Sequence, residues 1–553
     1  MAVKIPGPVR RRARDSAASG RPARRLLVVA AIGAACTTLC CCYARLAATF
    51  PGGSDGASNA LEAWDLLHGN WLLRGWTLSD VSFYTTELPE YAVAELVHGL
   101  TPGVLHVVPA ITYTLLLLAA GLLARGRARG AEGWARALIA AGIMAAPQLG
   151  NGVHVLLAQP DHVGTQVPIL ATFLFLERAP RRWYTPAALW ALLTAAIVAD
   201  KIVIVDAVVP LVFAGLLHAV WSRRPSAHRF ELSLAIAAGA SAGTAQLLLT
   251  LIGRLGGFAL PPVQTGMVTP GGVPGHLSLA WQGVLNLFGA DVVAAAPGTQ
   301  TALAWLHAPG IALAAAAFAV VAWHVPNQRD LTGDVLAVGI VVNLAGFVAS
   351  VIPATPFDTR EIAALLPFGA VLAGRVFGSR LTASGLARAR PAVAGLTVAG
   401  ACQLAALGYG AAQPAAAAPE QALAGWLAAH GLTSGLGTFS EDNLTTLDSD
   451  GAIRLRTVSW LAPSRSSPGG AVPRLYQSSA SWYDPRTQYA NFVVTGTADG
   501  SADLIPRADI LALAGQPART YHFRSFTILV WNTNLLPLLG TPPSRLPGDI
   551  GHR

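Results

Sequence analysis

Charged residues are scarce in this sequence, and lysine is nearly absent. Only 12% of the 553 residues are charged and 53% are hydrophobic, whereas a soluble globular protein carries about 25% charged residues. That deficit excludes an ordinary soluble protein. Lysine occurs only as Lys4 and Lys201, so arginine supplies almost all of the positive charge. The net charge of +9 comes with no zinc-binding spacing and no RNA-binding signature. We therefore predict that the chain binds no nucleic acid.

Cysteine is absent from every polar segment. Four of the five cysteines, Cys36, Cys40, Cys41 and Cys42, lie in the first apolar segment, and Cys402 lies in the last. The sequence therefore predicts neither a disulfide framework nor a cysteine-bound metal cluster. A repeat of 20–50 residues is also lacking, which argues against a solenoid or a propeller.

Apolar segments of about 20 residues recur through the first three quarters of the chain, long enough to cross a hydrocarbon core of roughly 30 Å. The first, residues 26–48, is too long for the core of a signal peptide, so we interpret it as a signal anchor behind a disordered basic tail, residues 1–25. The sequence thus predicts a polytopic α-helical membrane protein with about 11 transmembrane helices. The other ten segments are 104–124, 135–155, 163–176, 186–199, 202–221, 232–252, 302–323, 335–352, 363–377 and 392–407.

Arginine is concentrated in alternate connections between these segments. By the positive-inside rule, this side and the basic tail are cytoplasmic. An odd number of spans then places the C-terminus and the first long loop outside, in a multi-pass plasma-membrane protein with a cytoplasmic N-terminus. The arginines on the cationic side are Arg125, Arg127, Arg129, Arg136, Arg178, Arg181, Arg182, Arg223, Arg224, Arg229, Arg329, Arg380, Arg388 and Arg390.

The composition changes after about Pro414, where charged residues, asparagine, serine and threonine become frequent. We predict that residues 26–413 form the transmembrane domain and that residues 414–553 form a small extracytoplasmic α/β domain. Helical periodicity and a closing Gly431 predict a helix at 420–430, and a second helix is expected at 506–514. Alternating or β-branched residues predict strands at 452–460, 490–495 and 527–531.

The first external loop, residues 50–103, is acidic and aromatic and too polar to cross a bilayer. Ser54 is the expected N-cap of a helix lying in the membrane interface. Pro89 favours a second short helix with an acidic first turn. Asp55 is expected in a glycine-flanked turn just beyond the first span. We single out three of the carboxylates for chemistry and interpret the others as solvated charges. The candidates are Asp55, Asp80 and Glu87, and the solvated charges are Glu62, Asp65 and Glu95.

Three further charged motifs fall at the outer ends of apolar segments. Lys201 either pairs with the aspartate before it or binds an anionic headgroup or phosphate. Asp161 and His162 enter the fourth segment, where His162 has either a structural or a functional role. Arg360 precedes the tenth segment and either grips a phosphate or pairs with the glutamate that follows it.

This layout resembles the GT-C superfamily of integral-membrane glycosyltransferases, which includes protein O-mannosyltransferases, aminoarabinose transferases and actinobacterial arabinosyltransferases. These families have a cytoplasmic N-terminus, a long first external loop with interfacial helices, and a carboxylate soon after the first span. Many also have an extracytoplasmic C-terminal domain. Four stretches also resemble a group of actinobacterial membrane proteins: Ser54-Asp55-Gly56, Trp64-Asp65-Leu-Leu-His-Gly-Asn70, Phe83-Tyr-Thr-Thr-Glu87-Leu-Pro and Trp531-Asn-Thr-Asn534.

The resemblance implies a GT-C-like fold and a reaction. A sugar would pass, with inversion, from a polyprenyl-phosphate donor to a glycan, lipid or protein acceptor outside the membrane. By this resemblance Asp55 is the general base, while Asp80 or Glu87 orients the acceptor, or binds a metal where one is used. The residues expected around the donor phosphate are Lys201, Arg360, His162 and Asp161.

The sequence also departs from the family pattern. Asp55 is followed by glycine instead of a second acid, and Asp80-Val-Ser does not complete an Asp-x-Asp motif. No cofactor is therefore assigned, and a need for a divalent metal stays open. One alternative to an enzyme is a transporter, which would call for internal repeats and charges at the bilayer midplane. The other is a non-catalytic membrane scaffold or assembly protein with a transferase-like fold.

Overall fold

Helices form most of the membrane part of the chain. The computed structural model describes residues 12–158, 161–221, 225–263, 266–323, 330–383, 386–461, 470–496 and 506–542. The helices up to residue 411 are α1 (Arg12–Ala47), α2 (Ser54–Leu67), α3 (Glu87–His98), α4 (Val104–Arg125), α5 (Gly130–Met144), α6 (Asn151–Val153), α7 (His162–Arg178), α8 (Tyr184–Ala199), α9 (Val209–Trp221), α10 (Pro225–Arg254), α11 (Val273–Leu287), α12 (Thr299–Trp323), α13 (Leu331–Ala349), α14 (Leu365–Ala383) and α15 (Leu386–Ala411).

Six described helices are long and apolar enough to cross a membrane, or seven when α14 is counted with the 3₁₀ helix Pro356–Ile362, which meets it at a bend of 52°. The prediction of a helical membrane protein with several spans is confirmed in this form. Helices α5, α7, α8 and α9 are shorter, so the number of eleven spans stays a prediction. The six segments are Leu26–Ala47, Val104–Arg125, His228–Arg254, Thr299–Trp323, Leu331–Ala349 and Arg390–Ala411.

Two predicted spans contain breaks. In the segment 135–155, α5 ends at Met144, and Pro147 and the left-handed Gly150 (φ +84°) separate it from α6 and a π-helical turn, His154–Ala158. A proline lacks the amide hydrogen that a continuous helix requires. The segment 202–221 likewise begins with a π-helical turn, Ile204–Val208, before α9. Both π turns lie beside the cavity described below, as such turns often do at functional sites.

The ends of the membrane part differ from expectation in two places. Helix α1 begins at Arg12, so the basic segment expected to be disordered is helical from there onward, and residues 1–11 lie outside the described residues. Alanine and arginine are strong helix formers, which accounts for this extension. Helix α11 was not predicted. Its glycine, serine and histidine lower its hydropathy below that of a spanning segment.

The first loop is more deeply buried than its composition suggested. Helix α2 begins at Ser54 with Gly53 at the N-cap position, so Ser54 is not the cap, and Asp55 lies in the first turn of the helix rather than in a loop. The polar face expected to meet water is covered: Ser58, for example, is fully buried. Helix α2 packs against α3 on one side and against the C-terminal part on the other.

The C-terminal part is a six-stranded mixed sheet with helices beside it. The strand order is β4-β3-β2-β6-β8-β7, with β2 parallel to both β3 and β6 and the other pairs antiparallel. The elements predicted at 420–430, 452–460, 490–495, 506–514 and 527–531 are all present. They and their neighbours are α16 (Pro419–Ala429), β2 (Ser434–Gly437), α17 (Phe439–Asp448), β3 (Arg454–Leu461), β4 (Gly470–Pro473), β5 (Ser478–Ser479), β6 (Phe492–Thr495), α18 (Arg507–Ala514), β7 (Arg519–Phe523) and β8 (Phe526–Val530).

The C-terminal part is joined to the first loop by a small second sheet. Strand β1 (Trp76–Thr77) of the loop pairs antiparallel with β5. The Ala480 amide also donates to the Gly75 carbonyl at 2.8 Å, and Asn443 Nδ2 donates to Ser58 Oγ at 2.8 Å. This junction fixes the segment just before β5 above the ends of the membrane helices.

Candidate functional site

A cavity of about 370 Å3 opens where the first loop, the membrane helices and the C-terminal part meet. Apolar residues at and just after the end of α13, including Phe347 and Val351, form part of the lining. Other lining residues are polar and carry both signs of charge. The ionisable residues of the lining include Asp80, His162, Asp200, Lys201, Arg360 and Glu361.

His162 lies at the start of α7 between two carboxylates. Its Nδ1 is 2.7 Å from Asp200 Oδ2, and its Nε2 is 3.1 Å from Glu361 Oε2. An imidazole can donate to acceptors on both sides only as the doubly protonated cation. Thr165 Oγ1 and the Ile202 amide also donate to Asp200, at 2.6 and 2.9 Å. His162 is therefore a fixed cation within the wall, with neither ring nitrogen left free to accept a proton.

Arg360 is held in the 3₁₀ helix by its neighbours in space. Its Nη1 is 2.8 Å from Asp161 Oδ2, and its guanidinium lies 4.4 Å from the Phe357 ring centre. Phe357 stacks in turn on His154, with ring centres 4.6 Å apart. Asp358 closes this turn by accepting from two backbone amides. Arg360 Nε is buried without a hydrogen-bond partner in the described part of the chain, so the guanidinium keeps donor capacity.

Lys201 is the second cation with capacity to bind an anion. It lies half-buried in the turn between α8 and the π turn, and it lines the cavity. Across the described ranges of the chain, its ammonium has neither an ion pair nor a hydrogen bond. The aspartate before it does not neutralise it, because Asp200 is directed towards His162 and Thr165 instead.

Asp80 faces the same cavity because its loop is attached to the end of α8. The Ser82 amide donates to the Ala199 carbonyl at 2.8 Å, and Ser82 Oγ donates to the Val198 carbonyl at 2.7 Å. The side chain of Asp80 is exposed and lines the cavity. Desolvation by the neighbouring protein raises the pKa of Asp80 above its ordinary value, while the charge of His162 opposes the shift.

A buried polar group lies beneath the cavity, among the membrane helices. Asp206 is fully buried and accepts hydrogen bonds from Gln166 Nε2 at 2.8 Å and Asn343 Nδ2 at 2.6 Å. Asn343 lines the cavity and also donates to the Glu361 carbonyl at 3.1 Å. These bonds tie the π turn of Asp206 to the 3₁₀ helix that holds Arg360.

Asp55 lies behind the cavity wall rather than on it. It is half-buried and absent from the cavity lining, yet its charge acts on both Arg360 and Tyr476. Glu87 is farther from solvent: it is 1% exposed, and its carboxyl group packs on Gly164 of α7. Burial raises the pKa of Glu87 to about 8, so this group is largely neutral at pH 7.

The three acids interpreted as solvated loop charges are not solvated. Glu62 is 1% exposed and Glu95 is 2% exposed. Burial raises the pKa of Glu95 to about 9 and the pKa of Glu62 well above its ordinary value. Asp65 accepts hydrogen bonds from Trp76 Nε1 at 2.7 Å and Asn70 Nδ2 at 2.9 Å. The C-terminal part covers this face of α2. The sequence of the loop alone does not indicate that contact.

The structure brings together residues that lie far apart in the sequence. Asp80, His162, Lys201 and Arg360 line one cavity, and Asp161 joins them by its ion pair with Arg360. Asp55 and Glu87 do not reach the cavity surface. Three lining residues were missed as site residues from the sequence: Glu361, Asn343 and Tyr476. Glu361 could have been inferred from its position in the Asp-Thr-Arg-Glu motif, whereas no sequence signal marks Asn343 or Tyr476.

The carboxylates around the cavity do not form a ready metal site. In the ranges that the structure describes, no group of three or more histidine, cysteine, aspartate or glutamate side chains is arranged to hold a metal ion. Four of these acids instead bond to His162, Arg360, Thr165 or backbone amides: Asp161, Asp200, Asp358 and Glu361.

No protein-family model matches this chain, and a search of the curated proteins found no match either. The functional assignment therefore depends on the cavity and its charges.

Proposed function

We propose that this membrane protein is a GT-C-type glycosyltransferase that moves a sugar from a polyprenyl-phosphate donor to an acceptor at the extracytoplasmic face. The observation that carries the proposal is a cavity that holds two cations with spare donor capacity, Lys201 and Arg360, together with the carboxylate of Asp80. Although Arg360 pairs with Asp161, its buried Nε has no acceptor, which is costly unless a ligand such as a phosphate supplies one.

The donor fits the mixed lining of the cavity. Its phosphate would lie against Lys201 and Arg360, where lysine contributes a point charge and arginine a planar pair of donors. The first prenyl units would lie along Phe347 and Val351 and continue into the membrane. A cavity lined by both apolar and charged residues suits a ligand that has a lipid part and a phosphate part.

The reaction follows from this placement. Asp80 takes the proton from an acceptor hydroxyl while that oxygen forms a bond to the anomeric carbon. The bond between the anomeric carbon and the phosphate oxygen breaks on the opposite side, so the configuration inverts. The leaving group is polyprenyl phosphate, and the two cations stabilise the negative charge that grows on it. A raised pKa at Asp80 favours its role as a base near neutral pH.

Asp55 receives a different role in this proposal from the one its sequence position suggested. Since Asp80 is the first-loop acid in contact with the cavity, Asp80 is the base. Asp55 lies outside the cavity lining, and its negative charge contributes to the electrostatic field at Arg360. The wider topology is part of the same proposal: about eleven spans, a cytoplasmic N-terminus, and an extracytoplasmic first loop and C-terminal domain in the plasma membrane.

The test is transfer by the purified full chain in liposomes. The donors are undecaprenyl phosphates carrying glucose, mannose or arabinose, and release of undecaprenyl phosphate is measured with a mixed pool of glycan and lipid acceptors. We expect Asp80→Asn to lower turnover by about 10²–10⁴-fold. The matched control Asp484→Asn, which changes a half-buried acid of the C-terminal part outside the cavity lining, should leave turnover unchanged.

A second variant separates the two carboxylates. Asp55→Asn should reduce turnover by less than Asp80→Asn, because it alters the field at Arg360 without removing the base. A larger loss for Asp55→Asn would assign the base to Asp55. Failure of the wild-type protein to release undecaprenyl phosphate from any of these donors would contradict the transferase proposal.

A further inference from the structure

One residue of the cavity comes from outside the membrane part. Tyr476 lies between β4 and β5 of the C-terminal part and lines the cavity together with Asp80, Lys201 and Arg360. Its ring meets Phe439 edge-on, with ring centres 5.7 Å apart. Within the described part of the chain, its hydroxyl group has no hydrogen-bond partner. The ring is therefore supported from behind, and its polar end is available.

The backbone holds Tyr476 in place from both sides. Thr77 of β1 bridges Tyr476 directly, and β5 pairs with β1 immediately afterwards. Gln477 has a left-handed backbone (φ +50°), which is uncommon for residues other than glycine. Ser478 Oγ donates to the Arg474 carbonyl at 2.7 Å, closing the turn. A segment fixed in this way presents its side chain without a large loss of entropy on binding.

The surroundings of Tyr476 keep it neutral. Burial, followed by the nearby charges of Asp55 and Asp80, raises the pKa of Tyr476 well above its ordinary value. The group is thus a hydrogen-bond donor and an aromatic face at any physiological pH. A neutral tyrosine combines an apolar ring with a polar hydroxyl group. A sugar ring can match both, because it has apolar C–H faces and hydroxyl groups.

The position of the donor phosphate determines which group would meet this ring. In the proposed donor site, the phosphate lies on Lys201 and Arg360 and the prenyl chain lies along α13. The sugar bonded to that phosphate then extends towards Asp80, because the anomeric carbon of the sugar must face the base. Tyr476 lines that same part of the cavity. We propose that Tyr476 forms the binding face for the sugar ring of the lipid donor, so that the C-terminal domain takes part in selecting the sugar. This inference rests on the proposed donor site.

The test compares binding of lipids with and without a sugar, so it does not require turnover. Affinities of the full chain in nanodiscs are measured for bare undecaprenyl phosphate and for undecaprenyl phosphate carrying glucose, mannose or arabinose. We expect at least one glycosylated lipid to bind the wild-type protein about tenfold more tightly than the bare lipid. Tyr476→Ala should abolish this ratio while leaving the affinity for the bare lipid within about twofold.

Three further variants make the result specific. Tyr476→Phe keeps the ring and should retain most of the sugar-dependent gain. Tyr489→Ala removes a tyrosine of the same part that is 51% exposed, and it should leave the ratio unchanged. Lys201→Gln should weaken the bare and the glycosylated lipids alike.

The outcomes distinguish the two proposals. A wild-type ratio near one, or an unchanged ratio in Tyr476→Ala, overturns the role of Tyr476 while leaving the phosphate site in place. Failure of the wild-type protein to bind any of the four lipids overturns the donor site and, with it, this inference.

Discussion

Helices α7 and α13 each connect two groups of charges, and the two groups differ in how completely they are paired. The cavity cluster, at the start of α7, comprises Asp161, His162, Asp200, Lys201, Arg360 and Glu361. The opposite cluster, where α7 ends and α13 begins, comprises Glu177, His218, Glu231, Asp330, Asp334 and Arg375, with Arg181 beside them. The opposite cluster borders a cavity of about 520 Å3, larger than the one assigned above. Size alone therefore does not distinguish the two.

Every carboxylate named in the opposite cluster has a cationic partner. Arg375 donates to Glu177 at 2.7 Å and to Asp330 at 2.6 Å, and its Nη1 also reaches the Leu123 carbonyl at 2.9 Å. His218 is 2.7 Å from Asp334. The remaining pair is Arg181 with Glu231, at 3.1 Å. Each cation named in this cluster is thereby paired with a carboxylate, so the cluster joins helix ends, although Glu231 Oε2 is buried without a hydrogen-bond partner in the described ranges.

The cavity cluster is not closed. Both ring nitrogens of His162 contact carboxylates. Lys201, however, has no partner among the described residues, and Arg360 Nε has no hydrogen-bond acceptor there. Incomplete pairing of this kind is a departure from a fully satisfied structure, and such departures are expected at sites of function. The difference between the clusters is thus the physical basis for assigning chemistry to one end of α7 and structure to the other.

The largest expected contrast is between Arg360 and Arg375. Arg360→Ala should lower turnover by about 10²–10³-fold, since it removes a donor that stabilises the leaving phosphate. Arg360→Lys keeps the charge but not the planar fork and should give an intermediate rate. Initial rates in liposomes measure both. Thermal unfolding serves as the control, because Asp161 loses its cationic partner in Arg360→Ala. Unchanged turnover in Arg360→Ala would remove Arg360 from the site.

Arg375→Ala should show the reverse pattern. It leaves Glu177 and Asp330 without their cation, and breaking a buried pair costs about 3–5 kcal/mol. Because Asp330 is half-exposed, we expect a loss near the low end, about 3 kcal/mol in the free energy of unfolding. Turnover per folded molecule should stay within twofold. Denaturant unfolding in detergent measures the loss, and Arg486→Ala, which breaks an exposed pair, is the control. A loss of turnover without a loss of stability would contradict the structural role of this cluster.

The buried acid behind the cavity gives a pH test. The pKa of Glu87 is raised by burial from 4.5 to about 8. The unfolded chain therefore releases this proton at lower pH than the folded chain, and the folded state is favoured by the bound proton. Stability should fall as the pH rises from about 4.5 to 8, by up to about 1.4 kcal/mol per pH unit from this group.

Glu87→Gln should flatten that part of the pH profile, as measured by apparent Tm against pH. Glu95→Gln is the companion variant, since burial raises the pKa of Glu95 to about 9 and its effect extends to higher pH. Parallel profiles for Glu87→Gln and the wild-type protein would show that Glu87 is ionised in the folded state.

The sequence predicted the course of the chain better than the pairing of its charges. Apolar periodicity located the six described spanning segments to within about four residues, as with Val104–Arg125 against a predicted 104–124, whereas α1, α10 and α15 extend further than predicted. It also located the helices and strands of the C-terminal part. Breaks inside spans were less visible, because Pro147 and Gly150 change the backbone while leaving hydropathy high.

The site was predicted in part, and the errors have a common cause. Asp161, His162, Lys201 and Arg360 were each singled out, and they meet at one cavity or its wall. For Lys201 and Arg360, one of the two alternatives was pairing with a sequence neighbour, whereas the structure directs Asp200 to His162 and Arg360 to Asp161. Neighbouring side chains at a helix end project in different directions, so spatial partners come from other helices. Tyr476, on a separate part of the chain, had no local signal at all.

The smallest effect expected separates the clusters most simply. Lys201→Gln removes a cation that has no partner in the described ranges, so it should change the free energy of unfolding by no more than about 0.5 kcal/mol, against about 3 kcal/mol for Arg375→Ala. Both variants are compared in the same denaturant series. A large destabilisation by Lys201→Gln would mean that its ammonium holds the structure together, and the cavity cluster would then be as closed as the opposite one. A neutral result is what we expect of an ammonium that does not hold the structure together and is available to an anion entering the cavity.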